Sequence, residues 1–180
     1  AGPAGLSCAL GLSQCCRQVH IIEKHPVFEK AGSTFGIFEN GLKALSEVAH
    51  LSKDDTRQKM LNKGVSIPNG VMVLWWHMRD VILQLVMQKK NIQVYTGETW
   101  TSITENEEGV KIQCENGLTI QADLLVGADG VNSSIRSYLE LSPPISANSR
   151  SARGTLEVPA TASPRLRALL EEDYPTIKRW

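Results

Sequence analysis

Apolar and polar positions follow two rhythms along this chain, one of helical and one of strand period. Over 77–90, apolar residues recur at 78, 81, 82, 85 and 86, the spacing of one buried helical face. Asp80 near the start of that stretch and Lys89 and Lys90 at its end complement a helix macrodipole. The same reasoning predicts a small-residue helix running to about residue 17, where Ala9 and Gly11 permit close packing, a helix over 40–50 and another near 54–63. Val19 to Glu23 and Ile92 to Tyr95 read as short strands, and Val71 to Leu74 as an extended approach to the 77–90 helix. Residues 24–38, with glycines at 32 and 36, read as a loop.

The block 98–121 has the strand rhythm. Trp100, Ile103, Val110, Ile112 and Cys114 mix with polar residues, and Glu108-Gly109 and Asn116-Gly117 mark tight turns. It predicts an antiparallel meander inserted between the 92–95 strand and an apolar strand over 122–126. A helix over 133–139 follows, and Pro143-Pro144 signals a boundary. Beyond it, Ser151 to Val158 reads as one more strand. Pro164 to Asp173 reads as a weaker helix, its arginines first and its acids last, against the dipole. No repeat or low-complexity segment interrupts this order.

Composition narrows the function by exclusion. The 180 residues can bury a real core, and their 19 basic and 19 acidic side chains cancel. No basic stripe argues for nucleic acid as a partner. No apolar run approaches the roughly 18 residues of a membrane span, and the start lacks the features of a secretory signal. Cys8, Cys15, Cys16 and Cys114 form no C-x-x-C pair and no zinc spacing. The first three are expected to be small buried thiols on the first helix. The reading is a reduced, intracellular compartment and no metal site. Asn132-Ser133-Ser134 has the form of a glycosylation sequon but sits inside a glycine turn. His20, His25, His50 and His77 read as strand, loop or surface residues.

Two glycine turns carry the chemistry. The chain opens on Ala1-Gly2-Pro3-Ala4-Gly5-Leu6, where Gly2 and Gly5 match the second and third glycines of a G-x-G-x-x-G dinucleotide fingerprint. In that pattern Gly2 lets backbone approach a pyrophosphate, and Gly5 lets the helix pack on a strand. Glu23 follows at roughly the 20-residue interval expected of the acid that accepts from ribose hydroxyls. The second turn follows the 124–126 run as Gly127-Ala128-Asp129-Gly130, restarting as a helix at Asn132 or Ser133. A strand, a glycine turn and a helix start leave backbone N–H groups facing outward, which suits a phosphate. Asp129 adds an acceptor for a ligand that also offers hydroxyls, as a nucleotide does.

In order, these segments resemble the FAD-dependent, aromatic-hydroxylase-type (class A) flavoprotein monooxygenases over about the first 140 residues. Ala1 to Leu6 resembles the FAD fingerprint and Ile22-Glu23-Lys24 the ribose-binding strand end. Gly32 to Ile37, Asn40-Gly41 and Ala44-Leu45 resemble the family's G-x-x-F-G-L…N-G…A-L segment. Trp76 to Leu83 resembles the helix whose arginine, here Arg79, reaches FAD. Gly127-Ala128-Asp129-Gly130…Ser133…Arg136 resembles G-A-D-G-x-x-S-x-x-R, the most specific of these motifs.

The resemblance implies a Rossmann-like α/β FAD-binding fold with a parallel sheet and an inserted antiparallel meander. It implies an FAD-binding domain over 1–142, lacking its first strand and its C-terminal part, and the beginning of a substrate domain over 143–180. It implies FAD as cofactor, NAD(P)H as reductant, and dioxygen supplying one oxygen atom to a small organic substrate. The implied cofactor-binding residues are Gly2, Pro3, Ala4, Gly5, Glu23, Lys24, Arg79, Gly127, Asp129, Gly130 and Arg136, with no catalytic side chain. Alternatives stay open for some of them. Lys24 also reads as a loop charge, Arg79 as a solvated helix residue, Arg136 as a local cap or ion pair, and Trp75 and Trp76 as packing residues. A reductase, dehydrogenase or halogenase on the same fold, or a fragment without function, are the competing expectations.

Overall fold

A computed structural model describes residues 1–30, 32–148, 161, 163–165 and 168. The elements run α1 (Pro3–Leu12), β1 (Val19–Glu23), β2 (Thr34–Phe38), α2 (Glu39–Ala49), α3 (Lys53–Leu61), β3 (Gly64–Ile67) and β4 (Gly70–Leu74). They continue as α4 (Trp75–Met87), β5 (Ile92–Thr96), β6 (Trp100–Asn106), β7 (Gly109–Cys114), β8 (Thr119–Ala122) and α5 (Ser134–Tyr138).

Three small sheets organise these elements. β1 and β5 pair in parallel, Ile21 opposite Val94, across a long crossover that contains three strands and three helices on the way. β2, β4 and β3 form an antiparallel sheet with β4 in the centre, Phe35 opposite Val73 and Val65 opposite Met72. Its β3–β4 hairpin turns through Pro68 and Asn69, and Asn69 takes the left-handed φ of 57° that such turns require. β6, β7 and β8 form the expected antiparallel meander.

The main core lies where α1, α2 and α4 meet the sheets. Leu6 and Leu10 of α1, Leu42 of α2, Met60 of α3 and Val71 and Val73 of β4 are completely buried. On α4 the predicted stripe faces inward through Val81, Ile82, Leu85 and Val86. A second, smaller core under the meander packs Val110, Ile112 and Cys114 against Ile22 of β1 and Leu125. Glu39 at the start of α2 pairs with Lys53 and with Arg57 of α3, and Arg57 donates on to the Gly70 carbonyl, which ties the helices to the hairpin.

The structure corrects several expectations. Residues 34–38 form a strand rather than loop, because β4, some 35 positions downstream, supplies the ladder that a local reading cannot see. The 64–67 strand joins through the same ladder. The strand near 122–126 ends at Ala122; among the described residues nothing pairs with 124–126, and Leu124 and Val126 are exposed. The first helix stops at Leu12 instead of about 17. Its end tightens into three-residue turns, Gln14 N–H to Gly11 and Cys15 N–H to Leu12, with the Ser13 hydroxyl on Leu10. Cys15, past that end, is exposed rather than buried. His77 is the reverse case: it is buried on α4, its Nε2 3.3 Å from the Lys59 carbonyl, and burial lowers its pKa. The strand expected over 151–158 lies outside the described residues, as does most of the helix over 164–173, of which Pro164, Arg165 and Ala168 are helical.

Candidate functional site

The two glycine turns meet. A β-carbon built on Gly5 would lie 3.4 Å from the Ala128 Cβ, so the first turn of α1 stands against the second glycine turn at van der Waals distance. Gly5 therefore lets α1 pack closely on that turn.

The start of α1 is open. Gly2 is the N-cap residue, with extended backbone and no side chain accepting from the helix, and nothing stands within 4 Å of its missing Cβ. Pro3 occupies the first helical position, where its lack of an N–H costs nothing and its fixed φ suits the helix. Leu6 N–H already bonds the Gly2 carbonyl, which leaves the amides of Ala4 and Gly5 pointing outward at the positive end of a ten-residue helix. An anion fits there.

Glu23 closes one side of this opening. It ends β1, and its carboxylate pairs with the Ala1 amine and accepts from the His25 N–H at 2.7 Å. The strand therefore delivers its acid directly beside the fingerprint turn. Lys24, the next residue, is exposed.

Arg79, on α4, faces the loop that follows β1. Arg79 is not solvated; only 4 % of it is exposed. It lies over the rings of Phe28 and Trp75, donates to the Glu29 carbonyl at 2.9 Å and holds the Asp80 carboxylate. Its guanidinium thus fastens Phe28 and Glu29 onto the first turn of α4. Trp75 packs in this layer, where a Cβ on Gly32 would come within 3.3 Å of it. Trp76 carries the ammonium groups of Lys30 and Lys63 over its ring.

The second turn is built differently. Here the helix start is closed, so the sequence-based picture of outward amides at this position is wrong. Asp129 accepts from the Ser134 and Ile135 amides and from the hydroxyls of Ser133 and Ser134, while the Ser133 hydroxyl accepts from the Arg136 amide. Desolvation by itself would raise the Asp129 pKa, but the hydrogen bond from Ser133 and those from Ile135 and Ser134 outweigh it and hold it at about 2. Its carboxylate stands where an incoming phosphate would have to bind. Gly130 makes this possible with φ +83°, and Gly127 lets Ile135 approach, since a Cβ there would sit 2.6 Å from Ile135 Cγ2. Arg136 donates to the Val131 carbonyl within the same turn, the local role that its position also allowed.

The segments singled out from the sequence therefore differ in local structure. Glu23 stands beside the Ala1 to Gly5 turn, and Arg79 fastens the loop that follows β1. Gly127, Asp129, Gly130 and Arg136 form a self-capped turn that abuts Gly5 through Ala128. Sequence reasoning missed Ser134 and Trp100, which bond to this turn from two elements. The missing signal is a cross-chain contact, which no spacing rule encodes.

Known proteins resemble this chain in sequence and in fold. The chain is 28% identical to the FAD-dependent monooxygenase atnA of Arthrinium sp over 161 residues, 77% of this chain and 21% of that protein. It is 25% identical to the FAD-dependent monooxygenase olcE of Penicillium canescens over 183 residues, 86% of this chain and 38% of that protein. It thus spans between a fifth and two fifths of the length of these relatives. Among solved structures, 2-methyl-3-hydroxypyridine-5-carboxylic acid oxygenase superposes with a TM-score of 0.64 at 21% identity, covering 77% of this chain and 40% of that one. CtdE in complex with FAD gives 0.63 at 21% identity, covering 76% and 38%. These likenesses establish the Rossmann-like fold of FAD-binding monooxygenases. The profile of the FAD binding domain matches residues 27–173, more than half of the sequence, and the chain belongs to that family.

Proposed function

We propose that this chain binds FAD as part of a flavin-dependent monooxygenase that uses NAD(P)H and dioxygen to hydroxylate or epoxidise a small organic molecule. The observation that carries the binding step is the contrast between the two helix starts. The α1 start is uncapped, open and flanked by Glu23, while the α5 start is already satisfied by Asp129 and Ser133. The residues present fit the adenosine and pyrophosphate half of the cofactor. The amides after Gly2 and Pro3 take the pyrophosphate, and Glu23 accepts from the adenosine ribose. Gly5 keeps the approach close. Arg79 holds the loop that borders the site, and Asp129, Gly130 and Arg136 act by shaping the turn rather than by touching phosphate. Lys24 contributes charge at the rim.

When bound, FAD supplies the electron transfer and oxygen activation, chemistry no side chain of this chain can provide. The role left to the protein is to bind, orient and shield. The names of the relatives, all FAD-dependent monooxygenases, support that class over a reductase or halogenase on the same fold.

Titration of the purified chain with FAD, ADP and riboflavin, followed by thermal shift, tests the reading. FAD and ADP are expected to stabilise the protein and riboflavin is not, because the sites described recognise the nucleotide half. Glu23→Gln is expected to weaken FAD by about tenfold, the order of one charge-assisted hydrogen bond. Stabilisation by riboflavin alone, or by none of the three, overturns it. Substrate-dependent NADH or NADPH oxidation by a longer form that includes this chain then tests the monooxygenase class.

A further inference from the structure

Strand β6 reaches into the second glycine turn. The Trp100 indole Nε1–H donates to the Ser134 hydroxyl at 3.1 Å, and that hydroxyl donates its own hydrogen to Asp129 Oδ2 at 3.0 Å. A serine hydroxyl has one hydrogen and two lone pairs, so this chain of bonds runs in one direction, from indole to carboxylate. Its last link ends on a charge, and successive bonds of this kind polarise one another. The backbone is arranged for it. Trp100 pairs with Cys114 and Ser102 with Gln113, so Thr101 is an extra residue in β6, a bulge of the kind that re-aims a neighbouring side chain. A second tie lies alongside. The Trp100 ring meets the Tyr138 ring edge-on, 6.3 Å between centroids, and the Tyr138 hydroxyl donates to Glu105 at 2.9 Å.

We propose that Trp100 is a positioning residue for the 127–136 turn. Through Ser134 it fixes Asp129, and the meander thereby sets where Ala128 stands against Gly5. The consequence for cofactor affinity rests on the FAD reading above; the consequence for the turn itself does not. The inserted meander is, on this account, the brace of the cofactor site rather than a passive excursion from it.

Amide hydrogen exchange of Ser134 and Ile135 in the cofactor-free chain tests the first part. Trp100→Phe keeps the ring and removes only the N–H. It is expected to speed exchange at these amides about fivefold, the size of one neutral hydrogen bond, with the urea midpoint unchanged. Ser134→Ala should speed exchange at least as much, since it also removes the bond to Asp129, Ser134→Thr should keep the wild-type rate, and the double W100F/S134A should lose no more than Ser134→Ala alone. FAD affinity should fall about fivefold in the same variants and recover in Ser134→Thr. Wild-type exchange rates in Trp100→Phe overturn the proposal, as do additive losses in the double variant. So does loss of cooperative unfolding in Trp100→Phe, which would make ring packing the whole role. A wild-type chain that binds no FAD would sink the FAD reading while exchange still decides the role of Trp100.

Discussion

Gly5 and Ala128 bring the two glycine turns against each other, a Cβ on Gly5 falling 3.4 Å from the Ala128 methyl. That distance is ordinary contact, so one carbon fits and more does not. Gly5→Ala is expected to leave stability unchanged or raise it by up to about 1 kcal/mol, the helical preference of alanine over glycine. Gly5→Val should cost about 1–3 kcal/mol by overpacking. Urea denaturation of the two variants measures both, and equal behaviour would show that the turns do not touch as described.

Gly127 is tighter. Its missing Cβ would lie 2.6 Å from Ile135 Cγ2 and 3.0 Å from Ile135 Cβ, on a side chain held by its own helix. Gly127→Ala should destabilise by about 1–3 kcal/mol. Ile135→Ala in the same background should recover part of that loss, because it removes the nearer atom. A double variant as unstable as the sum of both singles would contradict the contact.

The elements that were legible in the sequence were those whose signal is local. The α2 and α4 faces follow a helical period that neighbouring residues alone define, and the turns at 109 and 117 punctuate the meander. β2 was not legible, because Gly32 and Gly36 mark it as loop while its strand character comes from Val71 to Leu74. Leu124 to Val126 fails in the opposite sense, since an apolar run is only a strand once something pairs with it. At the site, residue types and spacing located both turns. They did not tell that Asp129 would cap its own helix, because that contact depends on the positive φ of Gly130 folding the carboxylate back onto Ser134.

That cap has a pH signature. The hydrogen bonds it accepts from Ser133, Ile135 and Ser134 hold the Asp129 carboxyl at about 2, below its ordinary 3.8, so its contribution is fully present above about pH 5 and is lost as pH falls through 2. Exchange protection of the Ser134 and Ile135 amides should therefore decline between about pH 4 and 2. Asp129→Asn should remove that dependence and loosen α5 by about 1 kcal/mol, the cost of losing a helix cap. An unchanged acid profile in the variant would place the cap elsewhere.

The open start of α1 yields the prediction that separates stability from binding. Gly2 has φ −86° and ψ 174°, a conformation any residue adopts, and open space where a side chain would go. Gly2→Asp would place a carboxylate where it can cap the Ala4 and Gly5 amides. The cofactor-free protein should gain a few tenths of a kcal/mol, since aspartate caps slightly better than glycine. The same carboxylate would occupy the phosphate position and repel the pyrophosphate, so FAD should bind at least about fivefold more weakly, the scale of two charges near 4 Å apart even in bulk water. Opposite signs in a melting curve and an FAD titration are the expected result. If Gly2→Asp binds FAD as the wild type does, the pyrophosphate does not sit at α1, and the contrast between the two helix starts loses its functional meaning.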